Sequence, residues 1–420
     1  MMTDKRRETA ATLEKRLTRQ AFYHLDTCTR CSACTERCHM YYETDKPIHS
    51  PAYKLALIRR VHRRYYTFAG RVAPKFFKAL ELSDENFKEV SGAMFECTLC
   101  RRCTVHCPFG IDPAWPVSAG RFLCKTGGTA PEMLTMIAQV GVEKAKNISQ
   151  YEDLYLEQIK TLENQLRTET KDPEATIPVK NRGADMLYVP IAGTHTIMPV
   201  AKIFNSTKAS WSLSLFDAAN YSYFLGDIES AKILTGQIIK EAETLNVKSL
   251  VMTECGHGYR VMKQLAPKWF NRTFPFQVKS IVEVMANYIQ EGRVKLDPTA
   301  NPEVVTYHDP CQLGRNSGIY EEPRTVLRAA VREFRELAPP SKQYNWCCGA
   351  GGGVVAVPDF KDMRMQTGRR KAEQIKETKP DAIASACENC RSQLNDLNEH
   401  YNLGVKVTSV MDLVANALKR

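Results

Sequence analysis

Hydrophobic positions in the N-terminal part of the chain recur with a helical period. Residues 130–170 alternate apolar and charged positions in this way, which predicts connecting helices. One amphipathic helix is also predicted over residues 8–25, and its apolar face comprises Leu13, Leu17, Ala21 and Leu25. The stretch 168–181 contains two prolines and is predicted to be the linker before a new domain.

A different pattern begins near residue 185. Short apolar runs, each followed by a segment of helical period, predict β-strands at residues 186–190, 249–253, 303–307 and 382–386. Alternating strands and helices favour α/β layers with largely parallel sheets. Ligands usually bind at the carboxyl ends of such strands, and the cysteines that follow three of them are Cys255, Cys311 and Cys387.

Composition narrows the class of protein. The chain is 43% hydrophobic and 25% charged, as is typical of globular proteins, and no apolar run approaches the ~20 residues needed to cross a bilayer. Fifteen cysteines would suggest disulfides only in a secreted protein, and the first residues lack the apolar region of a signal peptide. The CxxC spacings therefore favour metal binding in a reducing compartment.

Basic charge is concentrated in the first 80 residues, which hold 17 Lys and Arg against 7 Asp and Glu in a chain of net charge +11. This asymmetry indicates an interaction face, which would suit an anionic membrane surface or an acidic partner, although a solvated helical surface is the plainer reading. Nucleic acid is not an expected partner, because no recognition motif accompanies the charge. We interpret the aromatic residues of this region, Tyr65-Tyr66 and Phe76-Phe77, as core residues.

Two cysteine runs share the spacing of bacterial two-cluster ferredoxins. In such runs the fourth cysteine binds the cluster held by the other run, so one cubane [4Fe-4S] cluster is assigned to Cys28, Cys31, Cys34 and Cys107. The second cubane is assigned to Cys97, Cys100, Cys103 and Cys38. His39 replaces the proline usual after the first run, and the 58 residues between the runs are predicted to form two or three helices.

A second group of cysteines lies in the C-terminal third of the chain. Cys311 is followed after 35 residues by Cys347-Cys348, and after 38 more by Cys387 and Cys390. Thiolates are soft ligands that suit iron–sulfur clusters, zinc or cuprous ion. A tetrahedral zinc site needs only four ligands, so zinc or buried thiols are the simpler alternatives.

The motifs around these cysteines, His308-Asp309-Pro310-Cys311, then Cys347-Cys348-Gly349, then Cys387-Glu388-Asn389-Cys390, resemble the cysteine-rich CCG domain of heterodisulfide reductases. The resemblance implies a non-cubane [4Fe-4S] cluster at which disulfide bonds are cut or made, with the ligands Cys311, Cys347, Cys348, Cys387 and Cys390. Glycines let backbone approach such a cluster and direct N–H groups at its sulfides, a role assigned to Gly349, Gly351 and Gly352. Arg315 is a candidate for attracting an anionic substrate or offsetting cluster charge, and His308 for relaying protons or only shaping its loop.

The two α/β segments are predicted to be copies of one module. Residues 247–255 align with residues 380–387, but the first copy retains a single thiol, Cys255. One thiolate cannot hold a multi-iron cluster, so the first copy is predicted to be cluster-free. Cys255 is then an extra ligand, a redox thiol or a relic, and His257 a proton donor or a relic.

The predicted fold class is α+β multidomain: an α-helical two-cluster ferredoxin domain followed by two α/β cysteine-rich CCG modules, the first degenerate. The predicted boundaries are 1–26 for an N-terminal amphipathic helix, 27–125 for the ferredoxin domain, 126–183 for a helical linker, 184–300 for the degenerate module and 301–420 for the intact module.

This order of domains resembles the D-type chain of heterodisulfide reductases and, with one module degenerate, the DsrK/HmeD/TmcB/HmcF group of membrane redox complexes. The resemblance implies an oxidoreductase acting on disulfide or thiol groups, cytoplasmic and peripherally attached to the inner membrane. The implied partners are an integral-membrane cytochrome b-type subunit, cytochrome c subunits of the same complex, and a disulfide- or trisulfide-bearing protein or small heterodisulfide.

Two alternatives remain for the function. One is a pure electron-relay subunit without a substrate of its own, and the other is the iron–sulfur subunit of a glycolate, lactate or glycerol-3-phosphate dehydrogenase. No flavin or nicotinamide cofactor is expected, since the glycine run at 349–353 lacks the GxGxxG spacing and context.

Overall fold

The computed structural model describes residues 4–191 and 193–419, with side chains from Glu8 onward. The chain forms two compact units. The helical unit comprises residues up to 139 together with residues 221–228 and 343–373, and the two-sheet unit comprises residues 140–220, 229–342 and 374 onward.

Helices dominate the first 170 residues. Their bounds are Asp4–Arg16 (α1), Arg19–Thr27 (α2), His39–Thr44 (α3), Pro51–Tyr66 (α4), Phe68–Val72 (α5), Asp84–Phe95 (α6), Arg102–Val105 (α7), Ala114–Thr126 (α8), Glu132–Lys146 (α9) and Ile148–Thr170 (α10). Apolar faces of α1, α4, α6 and α8 enclose one core that includes Leu13, Ile58, Val90 and Leu123. Cys124 is fully buried in this core, as expected for an inert thiol.

Three expectations for this region need correction. The single helix expected over residues 8–25 is two helices, because the Thr18 side chain accepts a hydrogen bond from Ala21 N and begins α2 as its N-cap. Four α-helices, α3 to α6, lie between the cysteine runs instead of two or three. Helix α10, expected within a linker, buries Ile159, Leu162 and Leu166 in the core of the two-sheet unit.

The first sheet of the two-sheet unit is parallel and four-stranded, in the order β2-β1-β3-β4. The elements of this stretch are β1 (Met186–Val189), α11 (Met198–Ser206), β2 (Trp211–Leu213), α12 (Tyr221–Phe224), α13 (Ile228–Thr244), β3 (Ser249–Met252), α14 (Gly256–Arg260), a π-helical turn (Val261–Leu265), α15 (Ala266–Phe270), β4 (Gln277–Ser280) and α16 (Ile281–Gln290).

The second sheet is again parallel and four-stranded, in the order β6-β5-β7-β8. The elements are β5 (Val304–Tyr307), α17 (Glu321–Ala330), β6 (Glu333–Phe334), α18 (Lys361–Thr367), α19 (Arg369–Thr378), β7 (Ala382–Ala384), α20 (Glu388–Tyr401), β8 (Lys406–Thr408) and α21 (Val410–Asn416).

The two sheets confirm the predicted internal repeat. Strands β3 and β7, which the sequence alignment equates, occupy the same position in their sheets, as do β1 and β5. Helix α16 packs on α17 and α11 packs on α21, so the two copies share one hydrophobic core. Within the described ranges, no helix combines the length and hydrophobicity required to span a bilayer.

Candidate metal centres

The first cysteine cluster lines a surface cavity in the helical unit. The cysteines that line it are Cys28, Cys31, Cys34, Cys103 and Cys107, of which Cys103 also lines the second cavity. Cys107 reaches this cavity from the second run, which is the crossed grouping that the sequence predicts. Burial raises the pKa of Cys34 to about 11, so a deprotonated sulfur there needs a cation beside it, and iron would supply one.

The second cysteine cluster lines a neighbouring cavity in the same unit. Its thiols are those of Cys38, Cys97, Cys100 and Cys103. Cys38 comes from the first run, so both runs exchange their fourth cysteine. Five cysteines line the first cavity and four line the second, with Cys103 in both. Soft sulfurs in this number suit iron–sulfur clusters, and ligation by these particular residues remains a prediction.

A buried lysine lies at the second cavity. Lys54 is 2% exposed, and its Nζ donates to the carbonyl oxygens of Ala93 and Glu96. Burial lowers the pKa of Lys54, and the nearby Cys97 and Cys38 sulfurs oppose that change. A buried ammonium is costly without a negative partner, so its position fits a cavity that holds an anionic thiolate-bound cluster.

His39 also lies at the second cavity. The side chain is 1% exposed, and its Nδ1 is 4.0 Å from Cys100 Sγ. One nitrogen of His39 and the sulfurs of Cys100 and Cys347 all lie within 4.8 Å of one another. The sequence offers only a weak signal for this residue, its departure from proline after Cys38, and His39 is not among the site residues predicted from the motifs.

The Cys347-Cys348 pair lies in the helical unit, beside the Cys97 loop. Cys347 Sγ donates to Thr98 Oγ1 at 3.6 Å and accepts from Gly349 N at 3.4 Å. A Cβ added at Gly351 would lie 2.5 Å from Thr98 O, so this glycine allows two backbones to approach closely. The glycine run thus packs against the second cysteine cluster, a role that the sequence did not indicate.

A buried arginine fixes this contact. Arg121 is fully buried and donates from Nη1 to Gly352 O at 2.6 Å and from Nη2 to Cys97 O at 2.5 Å. Its Nε donates to Met94 O at 2.9 Å. One guanidinium therefore holds the glycine run and the start of the second cysteine run in register.

The other three cysteines of the CCG motif lie in the two-sheet unit, after the ends of β5 and β7. Cys311, Cys387 and Cys390 are 9%, 8% and 5% exposed. The pKa of Cys387 is lowered, first because Cys390 donates a hydrogen bond to it, and further by backbone N–H groups that include that of Gly256. Such donors stabilise a deprotonated sulfur, which fits a metal ligand.

An ion-paired network shapes the loop that leads to Cys311. Asp309 is buried and receives both Nη groups of Arg324, at 2.8 and 2.9 Å. Arg324 also donates to Glu336 at 2.6 and 3.0 Å. His308 is 1% exposed at the end of β5, and Arg315 is half-buried in the turn after Cys311.

The degenerate module contacts this loop system through residues 254–257. The Glu254 carboxylate accepts from Arg391 Nη1 at 2.9 Å and from Val410 N at 2.9 Å, and its carbonyl accepts from Glu388 N at 3.2 Å. A Cβ added at Gly256 would lie 2.8 Å from Leu313 N. The loop therefore contacts the segment after Cys311 as well as the segment that holds Cys387 and Cys390.

Cys255 and His257 form a buried pair in the same loop. Cys255 Sγ is 3.3 Å from His257 Nδ1, and His257 Nε2 accepts from Asn220 N at 3.3 Å. Because a backbone N–H can only donate, the ring proton of neutral His257 sits on Nδ1 and is donated to Cys255. Burial lowers the pKa of His257 to about 4, so the ring is neutral near pH 7.

Two groups of cysteines with the spacing of ferredoxins, together with a CCG segment, are features of iron–sulfur proteins. Residues 24–111 match the family of 4Fe-4S dicluster domains, and residues 305–395 match the CCG family of cysteine-rich domains. These matches confirm the resemblance predicted from the motifs, and they identify a protein that holds 4Fe-4S clusters.

Relatives with curated names extend the similarity over nearly the whole chain. The chain is 28% identical to the Hdr-like menaquinol oxidoreductase iron-sulfur subunit 2 of Archaeoglobus fulgidus, over 97% of this chain and 81% of the relative. It is 29% identical to the D-type chain of the dihydromethanophenazine:CoB–CoM heterodisulfide reductase of Methanosarcina barkeri, over 96% of both chains. It is 24% identical to the EtfAB:quinone oxidoreductase of Syntrophomonas wolfei, over 89% of this chain and 55% of the relative.

Proposed function

We propose that this chain is the cytoplasmic iron–sulfur subunit of a membrane-bound electron-transfer complex. The chain relays single electrons through two cubane [4Fe-4S] clusters to or from a non-cubane [4Fe-4S] cluster, where a disulfide is reduced or formed. Reduction of a disulfide consumes two electrons and two protons and yields two thiols, so the relay must operate twice per turnover.

The proposal rests above all on the position of Cys347. In the helical unit its sulfur is grouped with Cys100 Sγ and a nitrogen of His39, and Arg121 ties the following glycine run to Cys97. The second cysteine cluster is therefore the one nearest to the CCG pair. This proximity supports an order in which electrons pass between the Cys28 cluster and the CCG cysteines by way of the Cys97 cluster.

The five-cysteine ligand set is part of the proposal. The CCG match spans residues 305–395 and so includes all five cysteines, and a relative named as a heterodisulfide reductase chain aligns with almost the whole sequence. When bound, the non-cubane cluster would supply iron that binds substrate sulfur. The ligand set is Cys311, Cys347, Cys348, Cys387 and Cys390.

Roles for three nearby side chains follow from their positions. His308 precedes the Cys311 loop and is proposed to move protons to or from the thiol products. His257 holds its Nδ1 proton against Cys255 Sγ, which favours a hydrogen-bonding role over proton storage. Cys255 is proposed as a thiol that faces the Cys387 loop, and Arg315 as the cation for an anionic substrate.

The partners belong to the same proposal. An integral-membrane cytochrome b-type subunit would anchor the chain, with cytochrome c subunits in the same complex, and two relatives are named for a menaquinol or quinone reaction. The substrate would be a disulfide- or trisulfide-bearing protein or a small heterodisulfide, as the name of the Methanosarcina relative suggests.

The test compares Cys387→Ala with the matched control Cys124→Ala in anaerobically isolated protein. We expect about twelve iron atoms per wild-type chain, from three four-iron clusters, and a non-cubane EPR signal that changes when a thiol or disulfide is added. Cys387→Ala should lose that signal and disulfide turnover but keep both cubane signals, whereas Cys124→Ala should keep all three.

Two outcomes would contradict the proposal. Bound zinc, or about four iron atoms per chain, would remove the cluster assignments. Disulfide turnover that persists in Cys387→Ala, with a signal that no thiol perturbs, would leave only an electron-relay subunit.

A further inference from the structure

The segment after α4 exposes aromatic side chains to solvent. Phe68 is 82% exposed, Val72 66% and Phe76 81%, so the interpretation of Phe76 as a core residue is wrong. The Ala73 N–H bonds to Ala69 O at the end of α5, and the Phe77 N–H bonds to Ala73 O in the turn that follows. Ala73 itself has φ −127° and ψ 63°, so the helix stops there and a separate turn begins. The three exposed apolar side chains therefore lie on α5 and on the turn directly after it, within nine residues of one another along the chain.

Basic side chains lie among these three apolar residues along the chain. Arg71, Lys75 and Lys78 are exposed, and residues 59–80 contain seven Lys or Arg and no Asp or Glu. An exposed apolar patch marks a site of protein or membrane contact. Lysine is depleted in protein interfaces, whereas Lys and Arg beside aromatic side chains are typical of segments that lie on anionic lipid.

The fold holds this segment in place. Arg60 Nε donates to Lys78 O at 3.2 Å and Arg63 Nη1 donates to Phe77 O at 3.3 Å, so two arginines of α4 fix the backbone of the turn. The Thr67 side chain caps α5 by accepting from Gly70 N at 3.1 Å. Because the backbone is already ordered, exposure of the aromatic rings belongs to the folded segment and adds little ordering cost on binding.

We propose that the aromatic–basic patch formed by Phe68, Arg71, Val72, Lys75, Phe76 and Lys78 docks directly onto an anionic lipid surface. The aromatic rings enter the interfacial layer, and the basic groups contact lipid phosphates. The inference goes beyond the proposed function, since it gives the chain a membrane contact of its own and requires no disulfide chemistry.

The test is sedimentation of the full-length, cluster-loaded protein with vesicles of phosphatidylcholine, or of equal parts phosphatidylcholine and phosphatidylglycerol. The wild type is expected to bind only the mixed vesicles, and less tightly as salt rises. Combined Arg71→Ala, Lys75→Ala and Lys78→Ala should weaken binding by on the order of a hundredfold, from about fivefold for each basic group. Combined Phe68→Ser and Phe76→Ser should weaken it by about tenfold.

The matched control is Leu154→Ser, which removes an apolar side chain that is 60% exposed beside the acidic Glu152 and Asp153. It should leave vesicle binding unchanged, and unaltered cluster absorption in every variant shows that the fold is intact. Equal binding to both vesicle types, or equal loss in Leu154→Ser, overturns the proposal.

A third result would also overturn the lipid-docking proposal. If the wild type binds no vesicles and the patch variants fail to co-purify with a membrane protein, the patch contacts a protein partner instead. Disulfide turnover measured without membranes is unaffected by the patch variants, so failure here is distinguishable from failure of the proposed function.

Discussion

The ion pair between Glu254 and Arg391 offers a quantitative test of what the degenerate module contributes. Both side chains are buried, 5% and 10% exposed, and the carboxylate also accepts from Val410 N. Removing one partner of a buried pair costs about 3–5 kcal/mol, since it leaves a charge without compensation. Arg391 keeps its bonds to Ser385 O and Glu388, so we expect about 3 kcal/mol for Glu254→Ala.

The loss of stability in Glu254→Ala should be confined to the segment that holds Cys387 and Cys390. Hydrogen exchange measures such local opening directly, and about 3 kcal/mol corresponds to roughly a hundredfold faster exchange of the amides of residues 385–412. Burial raises the pKa of Glu254 to about 7. Hydrogen exchange should therefore be measured at pH 8, where this carboxyl group is mostly ionised. Glu254→Gln keeps an acceptor for Val410 N and should show a smaller acceleration.

The control is Glu243→Ala, which breaks the exposed pair with Arg272, whose side chains are 31% and 46% exposed. Exposed pairs contribute about 0–1 kcal/mol, so exchange near Glu243 should change little. Similar exchange in Glu254→Ala and Glu243→Ala would refute the reasoning. Equal acceleration at the cubane loops would also refute it, since the effect would then be global.

Three further predictions concern single side chains. Arg324→Met should destabilise the loop of Asp309 by about 3 kcal/mol, because two buried contacts to that carboxylate are lost, and hydrogen exchange of residues 308–316 measures the change. Burial raises the pKa of Glu241 to about 7, so the folded state should lose stability as pH rises from about 4.5 to 7, and a Glu241→Gln variant should lose that dependence in denaturation curves. His39→Leu should lower the reduction potential of the cluster proposed at Cys100 in a redox titration, because hydrogen bonds to cluster sulfur raise that potential.

The sequence predicted the central strands and missed the edge strands. All four predicted strands, at residues 186–190, 249–253, 303–307 and 382–386, correspond to β1, β3, β5 and β7. Central parallel strands are buried on both faces and so contain continuous apolar runs. The edge strands contain polar residues, as in β4 (Gln277–Ser280) and β8 (Lys406–Thr408), so no continuous apolar run marks them.

The sequence could predict those residues of the candidate sites that belong to cysteine motifs of characteristic spacing. The crossed cysteine grouping follows from two local runs, and in the structure Cys107 lines the first cavity and Cys38 the second, while Cys103 lines both. Lys54 and His39 could not be found in this way, because each is a lone residue whose role depends on tertiary contacts. The exposed Phe76 was misread for a related reason: an aromatic residue in a helical segment is usually buried, and only the fold reveals which face is covered.

Loss of ligands in the first module is compatible with retention of its loop. A cluster site needs soft donors and also needs those donors held in place by surrounding groups. The loop at 254–257 no longer supplies the donors, since Cys255 alone cannot hold a cluster. It still supplies a buried carboxylate to Arg391, a carbonyl to Glu388 N and a backbone N–H to Cys387. These contacts come from the Glu254 carboxylate, the Glu254 carbonyl and the Gly256 N–H, so another side chain of similar size at position 255 leaves them intact. Cys255→Ser should therefore preserve slow hydrogen exchange at residues 385–412, whereas Glu254→Ala should not.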